Sequence, residues 1–214
     1  WGMGLLHNGF TVFVVRHGTT PRFTVPEAIE DIRRSVRYVR HHAAKYEIDP
    51  DHIGITSGSS GGHLSLMVGM TGDEGDPDAT DPVLRVSSRT QAIVAWFPPT
   101  DLINWGATDG YKVIETVRPG MFQRMFGSID NLPAQLKSIS PIYFITPDDP
   151  PLLLIHGDSD TTVPLQQSEW LQEKYESAGL KVKLIVEPGG GHTYWNGIEE
   201  DYVDVGAWFD TWLK

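Results

Sequence analysis

An α/β fold, a mostly parallel sheet with helices on both faces, is what the sequence predicts. Three observations carry that prediction. Short β-branched apolar runs alternate with segments of helical periodicity along the chain; most of these runs are nearly continuous; and the last of them is half polar. Continuous runs suit strands buried on both faces, and strand–helix alternation suits parallel crossovers.

Each element has its own local signal. Phe10–Val15 (FTVFVV) reads as a buried strand. After the turn at Gly18–Pro21, Thr24 with Glu27 three residues on forms a capping-box signature, and Pro26 stands where a first-turn proline is tolerated. Ile29, Ile32, Val36, Val39, Ala43 and Tyr46 then recur at helical spacing. His52–Ser57 is read as the second strand, with a helix over the apolar stretch from Leu64 to Met70. Gln91–Phe97, Pro151–His156 and Lys181–Glu187 supply three more strands, and Leu171, Tyr175 and Ala178 mark a helix closed by Gly179. In the last strand Val182, Leu184 and Val186 alternate with Lys181 and Lys183, as on a sheet edge. Val205, Trp208, Phe209, Trp212 and Leu213 share one face of a final helix.

With 214 residues the chain is long enough for one domain, read here as 1–214 with a cap-like insertion over the carboxyl edge of the sheet at about 101–150. That insertion is rich in aromatic residues, among them Trp105, Tyr111, Phe122, Phe126, Tyr143 and Phe144. It reads equally as a cover for a site or as ordinary packing over the sheet end. The 17 Lys and Arg residues stand against 28 Asp and Glu, a net charge of −11, which argues against duplex nucleic acid as a partner. No apolar run approaches the roughly 18 residues that a membrane span needs. The absence of cysteine excludes disulfides, thiol catalysis and Cys-ligated zinc together. No cofactor or metal is expected: Asp73, Asp76, Asp78 and Asp81 match no calcium-loop spacing and read as a charged surface turn.

Chemistry is concentrated at three strand ends. Gly58-Ser59-Ser60-Gly61-Gly62 fits the pattern G-x-S-x-G in one register, which makes Ser60 the candidate nucleophile. A strand precedes this motif and an apolar helix follows it. In that setting a strained turn presents the hydroxyl at the sheet edge, and the helix N-terminus faces developing negative charge. Leu152–Pro164 (LLLIHGDSDTTVP) delivers Asp158 and Asp160 to the end of another strand, and Gly189-Gly190-Gly191-His192 follows the next. The order Ser60, Asp160, His192, each on a loop after a strand, is that of a serine hydrolase of this architecture.

In the segments ITSGSSGGHLSL, LLLIHGDSDTTVPLQQS and GGGHTYW the chain resembles the α/β-hydrolase superfamily, especially its esterase and prolyl-oligopeptidase-like branch. The resemblance implies Ser60 as nucleophile, the N–H of Gly61 as one oxyanion donor, Asp160 rather than Asp158 as acid, His192 as base, and a packing role for His63. It implies a carboxylic ester hydrolase acting through an acyl-serine on a small-molecule or polysaccharide-linked ester, with room for a homo-oligomer. It also implies an N-terminally truncated layout: the first three strands and the HGGG oxyanion loop have no counterpart before Phe10. On that layout Phe10–Val15 and His52–Ser57 flank the place of a missing strand. They are expected to pair directly, or to have the gap filled by a borrowed segment, because unsatisfied buried backbone groups cost roughly 1–3 kcal/mol each.

Two other functions compete. One is a non-catalytic or impaired hydrolase-like fragment. The other is a histidine phosphatase, since Arg16-His17-Gly18 after a strand is similar to the R-H-G signature in which the histidine takes the phosphoryl group.

Overall fold

The computed structural model describes residues 3–214. Four strands form one parallel sheet in the order β1-β2-β3-β4: β1 Gly54–Gly58, β2 Ala92–Trp96, β3 Leu152–Gly157 and β4 Val182–Glu187. β2 and β3 are buried along their whole length, as their unbroken apolar sequences require, whereas β4 alternates. The helices are α1 Met3–His7, α2 Val25–His41, α3 Ala43–Tyr46, α4 Ser60–Met70, α5 Tyr111–Val117, α6 Met121–Phe126, α7 Leu132–Ser138, α8 Gln166–Ser177 and α9 Ile198–Leu213.

The expected cap on α2 is present. Thr24 Oγ1 accepts the Glu27 N–H, and Glu27 Oε2 accepts the Thr24 N–H at 2.7 Å, so two of the helix's orphan donors are satisfied reciprocally. Gly179, at φ +74°, follows α8 in the left-handed region that lets a helix stop. α9 lays Val205, Phe209 and Leu213 beneath Ala92, Val94 and Trp96 of β2. On the other face Leu66 and Met70 of α4 pack with Ile93, Leu152, Leu154 and Leu171. The chain between β2 and β3 folds into α5, α6, α7 and a 3₁₀ turn at Pro141–Tyr143. Its Phe122, Leu136 and Ile139 are buried together with Ile29 and Ile32 of α2 and with Leu64 and Val68 of α4, so part of its apolar content is ordinary core. Among the described residues no helix is long and apolar enough to cross a membrane.

One element departs from expectation. Phe10–Val15 forms no strand, and Val14 is 94% exposed. Phe10 meets Phe209 edge-on, Phe13 meets Tyr46, and the run has no ladder partner among the described residues. Between it and β1 lies an open groove of about 520 Å³. Its walls include Ile32 and Val36 of α2, Ile55 of β1 and Phe209 of α9. The expectation that the two segments pair directly is therefore overturned. The energetic objection to a gap assumed buried backbone. β1 is only half buried, so solvent in the groove can reach its outer N–H and C=O groups and the penalty for unsatisfied groups is avoided.

Candidate active site

β1 ends at Gly58, and the chain turns sharply into α4 through Ser59, whose φ of 55° and ψ of −124° lie outside the regions that L-residues favour. The Ser59 N–H donates to the Trp96 carbonyl at 2.8 Å, and the Ser59 carbonyl accepts the His63 N–H at 3.0 Å. The turn is this tight because the residues two before and two after Ser59 touch. A Cβ placed on Gly61 would lie 2.1 Å from Ser57 Oγ, and one on Gly62 would lie 3.1 Å from the Trp96 carbonyl oxygen. The bend thus needs small residues at 57 and 61, and serine meets the first requirement as glycine would.

The second component arrives at the end of β3. Asp160 is buried, and its Oδ1 accepts the N–H groups of Thr162 at 2.8 Å and Val163 at 2.9 Å. Asp158, two residues earlier, is exposed, and its Oδ1 accepts the Gly189 N–H at 2.7 Å. The two aspartates therefore divide the work, Asp158 tying down the glycine loop and Asp160 facing inward.

The third component is the loop after β4. A Cβ on Gly157 would lie 2.2 Å from the Gly190 carbonyl oxygen, so the end of β3 and the glycine loop meet backbone to backbone. The Ser159 N–H donates to the Gly190 carbonyl at 2.9 Å. Beyond the loop Trp195 is buried, and its Nε1–H donates to Asp201 of α9 at 2.7 Å. Phe97, at φ 38°, turns its ring edge-on to His192 with centroids 4.7 Å apart.

These parts converge on His192. Its Nδ1 lies 2.7 Å from Asp160 Oδ2 and its Nε2 lies 2.9 Å from Ser59 Oγ. Burial pushes the Asp160 carboxyl up, but the bond from His192 and the N–H groups of Val163 and Thr162 outweigh it and hold the group below the ordinary carboxylate range. Asp160 and His192 thus stand together as the sequence predicts. Ser60 does not join them. It is the exposed first residue of α4, and Ser59 occupies the position against His192. A motif that requires glycine two residues before the serine selects Ser60, whereas the close approach of Ser57 to Gly61 demands only a small side chain at 57. The N–H that follows Ser59 in the chain is that of Ser60, one residue before Gly61.

The remaining candidates lie elsewhere. His63 is buried, with its Nε2 against the Ile139 carbonyl, which ties α4 to the chain after α7. His17 follows no strand; its Nδ1 faces the Gly18 carbonyl at 2.6 Å, and Arg16 is exposed. Asp73 pairs with Arg37 and Asp81 with Arg34, which fits the surface-turn reading.

The BD-FAE family model matches residues 2–175. The chain belongs to the BD-FAE family. Among curated proteins it is 31% identical over 184 residues to the probable carboxylic ester hydrolase LipM of Mycobacterium tuberculosis, covering 84% of this chain and 40% of that protein. It is 29% identical over 194 residues to Esterase LipQ of the same organism, covering 87% of this chain and 43% of that protein. The chain therefore spans less than half the length of either. A carbohydrate esterase from gut microbiota, solved in a truncated form, superposes with a TM-score of 0.80 at 34% identity, covering 98% of this chain and 76% of its own. An acetyl ester-xyloside bifunctional hydrolase from Caldicellulosiruptor lactoaceticus does so with a TM-score of 0.79 at 29% identity, covering 98% and 71%. This BD-FAE chain accordingly has the α/β-hydrolase fold of esterases.

Proposed function

We propose that this chain hydrolyses carboxylic esters through an acyl-serine intermediate, with Ser59 as nucleophile, His192 as general base and acid, and Asp160 as the group that orients and charge-balances the imidazole. The observation that carries this reading is His192 held between Asp160 at 2.7 Å and Ser59 at 2.9 Å. Ser59 Oγ attacks the ester carbonyl while His192 Nε2 takes its proton. The same nitrogen returns the proton to the departing alcohol, and then activates the water that releases the acid. Asp160 keeps the imidazole in the tautomer whose Nε2 is free to accept. The Ser60 N–H, at the N-terminus of α4, supplies an oxyanion contact.

Names borne by relatives support an ester attached to carbohydrate as the substrate: one structural neighbour is called a carbohydrate esterase and another an acetyl ester-xyloside hydrolase. The single-domain reading of 1–214, with segment 101–150 bordering the substrate path, is part of this proposal. Gly106 of that segment donates its N–H to Gln166, at the start of α8 and close after the Asp160 turn.

A fluorophosphonate probe tests the assignment. Labelling and hydrolysis of p-nitrophenyl acetate are expected to disappear in Ser59→Ala and to persist in Ser60→Ala. The reverse pattern would restore Ser60, and a folded wild-type chain that takes up no probe would overturn the reading. Release of acetate from acetylated xylan, compared with p-nitrophenyl acetate, tests the substrate class.

A further inference from the structure

A second histidine lies behind the acid. His156, in the fully buried strand β3, has no accessible surface and touches neither Ser59 nor His192 by any hydrogen bond. Its Nδ1 lies 2.7 Å from Ser168 Oγ in α8, a hydroxyl that is also fully buried. Its Nε2 lies 2.9 Å from the Val163 carbonyl oxygen and 3.3 Å from Asp160 Oδ2. Burial holds the ring below the ordinary histidine range and so favours its neutral form.

A neutral imidazole has one N–H, and the surroundings decide where it sits. A proton on Nδ1 would leave Nε2 bare against two acceptor oxygens, one of them a carboxylate. A proton on Nε2 faces both of those oxygens, while Nδ1 accepts the Ser168 hydroxyl, which can rotate to donate. The second arrangement satisfies every group and the first leaves two acceptors opposed in a dry site, where such a mismatch is costly.

We infer that His156 is a positioning residue for ester hydrolysis, locked by Ser168 as a neutral Nε2–H donor that shares Asp160 Oδ2 with His192. This inference rests on the triad reading above. The carboxylate is then held on both oxygens: Oδ1 by the N–H groups of Thr162 and Val163, Oδ2 by His192 at 2.7 Å, with the His156 N–H, bonded to the Val163 carbonyl, reaching it at 3.3 Å. The titratable groups facing Asp160 are thus His156 from β3 and His192 from the loop after β4. Without the His156 N–H, Oδ2 keeps the bond from His192 alone and the carboxylate is less firmly oriented toward it. The less well oriented acid lowers turnover.

The test compares His156→Phe, which fills the space without a donor, with His156→Gln, whose side-chain amide can place an N–H near the Nε2 position. In His156→Phe, kcat on p-nitrophenyl acetate is expected to fall by about tenfold or more with KM nearly unchanged. His156→Gln is expected to recover most of the lost kcat. Unchanged kcat in His156→Phe, or no recovery in His156→Gln, would overturn the inference. If the phenylalanine variant does not fold, the ¹⁵N chemical shifts of His156 in the wild-type chain decide. The Nε2–H tautomer supports the inference, and an Nδ1–H tautomer or an imidazolium at neutral pH overturns it. Fluorophosphonate labelling of the wild-type chain separates the two readings, because its failure strikes the triad whereas the outcomes above strike His156 alone.

Discussion

The two sides of this sheet are built to different standards. On the β3–β4 side the groups of the site are tied down: Asp160 is gripped on both oxygens, the glycine loop is pinned by Asp158 and Ser159, and the outer strand β4 presents Lys183 to water, paired with Asp204 of α9 at 2.8 Å. On the β1 side the strand is half buried, carries no charge, and borders an open groove whose walls mix apolar side chains such as Ile32, Val36 and Phe209 with polar ones such as Ser35 and Asp49. β4 is an edge whose sequence suits exposure. β1 is an edge whose surroundings are those of an interior strand. The proposed nucleophile stands at the end of the second kind of strand, and the proposed acid and base belong to the first kind. Geometry that is held from one side only must come from the local turn, and at Ser59 it does.

The sharpest way to break this comparison is at the acid. Asp160→Asn is expected to lower kcat on p-nitrophenyl acetate by roughly 10³–10⁴-fold, since an amide fixes the wrong imidazole tautomer. Asp158→Asn is expected to stay within about tenfold, because Asp158 only anchors the loop. A larger loss at Asp158 would place the working carboxylate on the exposed residue.

The next effect lies at the turn. Gly61→Ala forces a methyl against Ser57 and is expected to destabilise the chain by about 1–3 kcal/mol. Among the described residues, and beyond the immediate chain neighbours, Ser57 is the only side chain within 4 Å of that methyl, so Ser57→Gly/Gly61→Ala is expected to recover most of the loss. Urea unfolding of the four proteins of this cycle measures the coupling; additive losses would show that the bend does not depend on the 57–61 contact.

A smaller effect concerns pH. Because Asp160 is held below the ordinary carboxylate range in the folded chain, it contributes stability above about pH 4 that is lost as pH falls through its folded value. The stability difference between wild type and Asp160→Asn, from urea midpoints, is expected to shrink as pH is lowered from 6 to 3. A constant difference would mean that the pairing does not bias the carboxyl.

The smallest effect tests the open edge directly. The Ser59 N–H and the Ile53 carbonyl both point to β2, so by strand alternation those of Ile55 and Ser57 do too, and those of Thr56 and Gly58 point into the groove. The amides of Thr56 and Gly58 are expected to exchange with deuterium faster than those of Ile55 and Ser57. Equal protection would mean that something in solution covers the β1 edge.

Much of this molecule is legible in its residues. The apolar runs of β2 and β3, the capping box at Thr24 and Glu27, and the order of Asp160 before His192 all follow from local chemistry, and local chemistry is what a linear sequence displays. Two misreadings share one cause. Phe10–Val15 has the composition of a buried strand, but composition does not supply the ladder partner that makes a strand. Ser60 satisfies a spacing rule stated for glycine, but the rule stands in for a contact between Ser57 and Gly61 that exists only after the chain has bent. His156 is a third case. Within LLLIHGD it reads as one more residue of a buried strand, and only the fold brings Ser168, twelve residues on, to fix its proton.

Of the five non-glycine residues with positive φ among those described, Ser59, Phe97 and Thr193 all lie at the site. Each holds a backbone shape that costs an L-residue on the order of 1–2 kcal/mol. A selection for heat resistance alone would therefore drift toward relaxing these positions, starting with exposed Thr193→Gly, and would deliver proteins that survive longer while turning over more slowly. The direction of that trade-off is written into three dihedral angles.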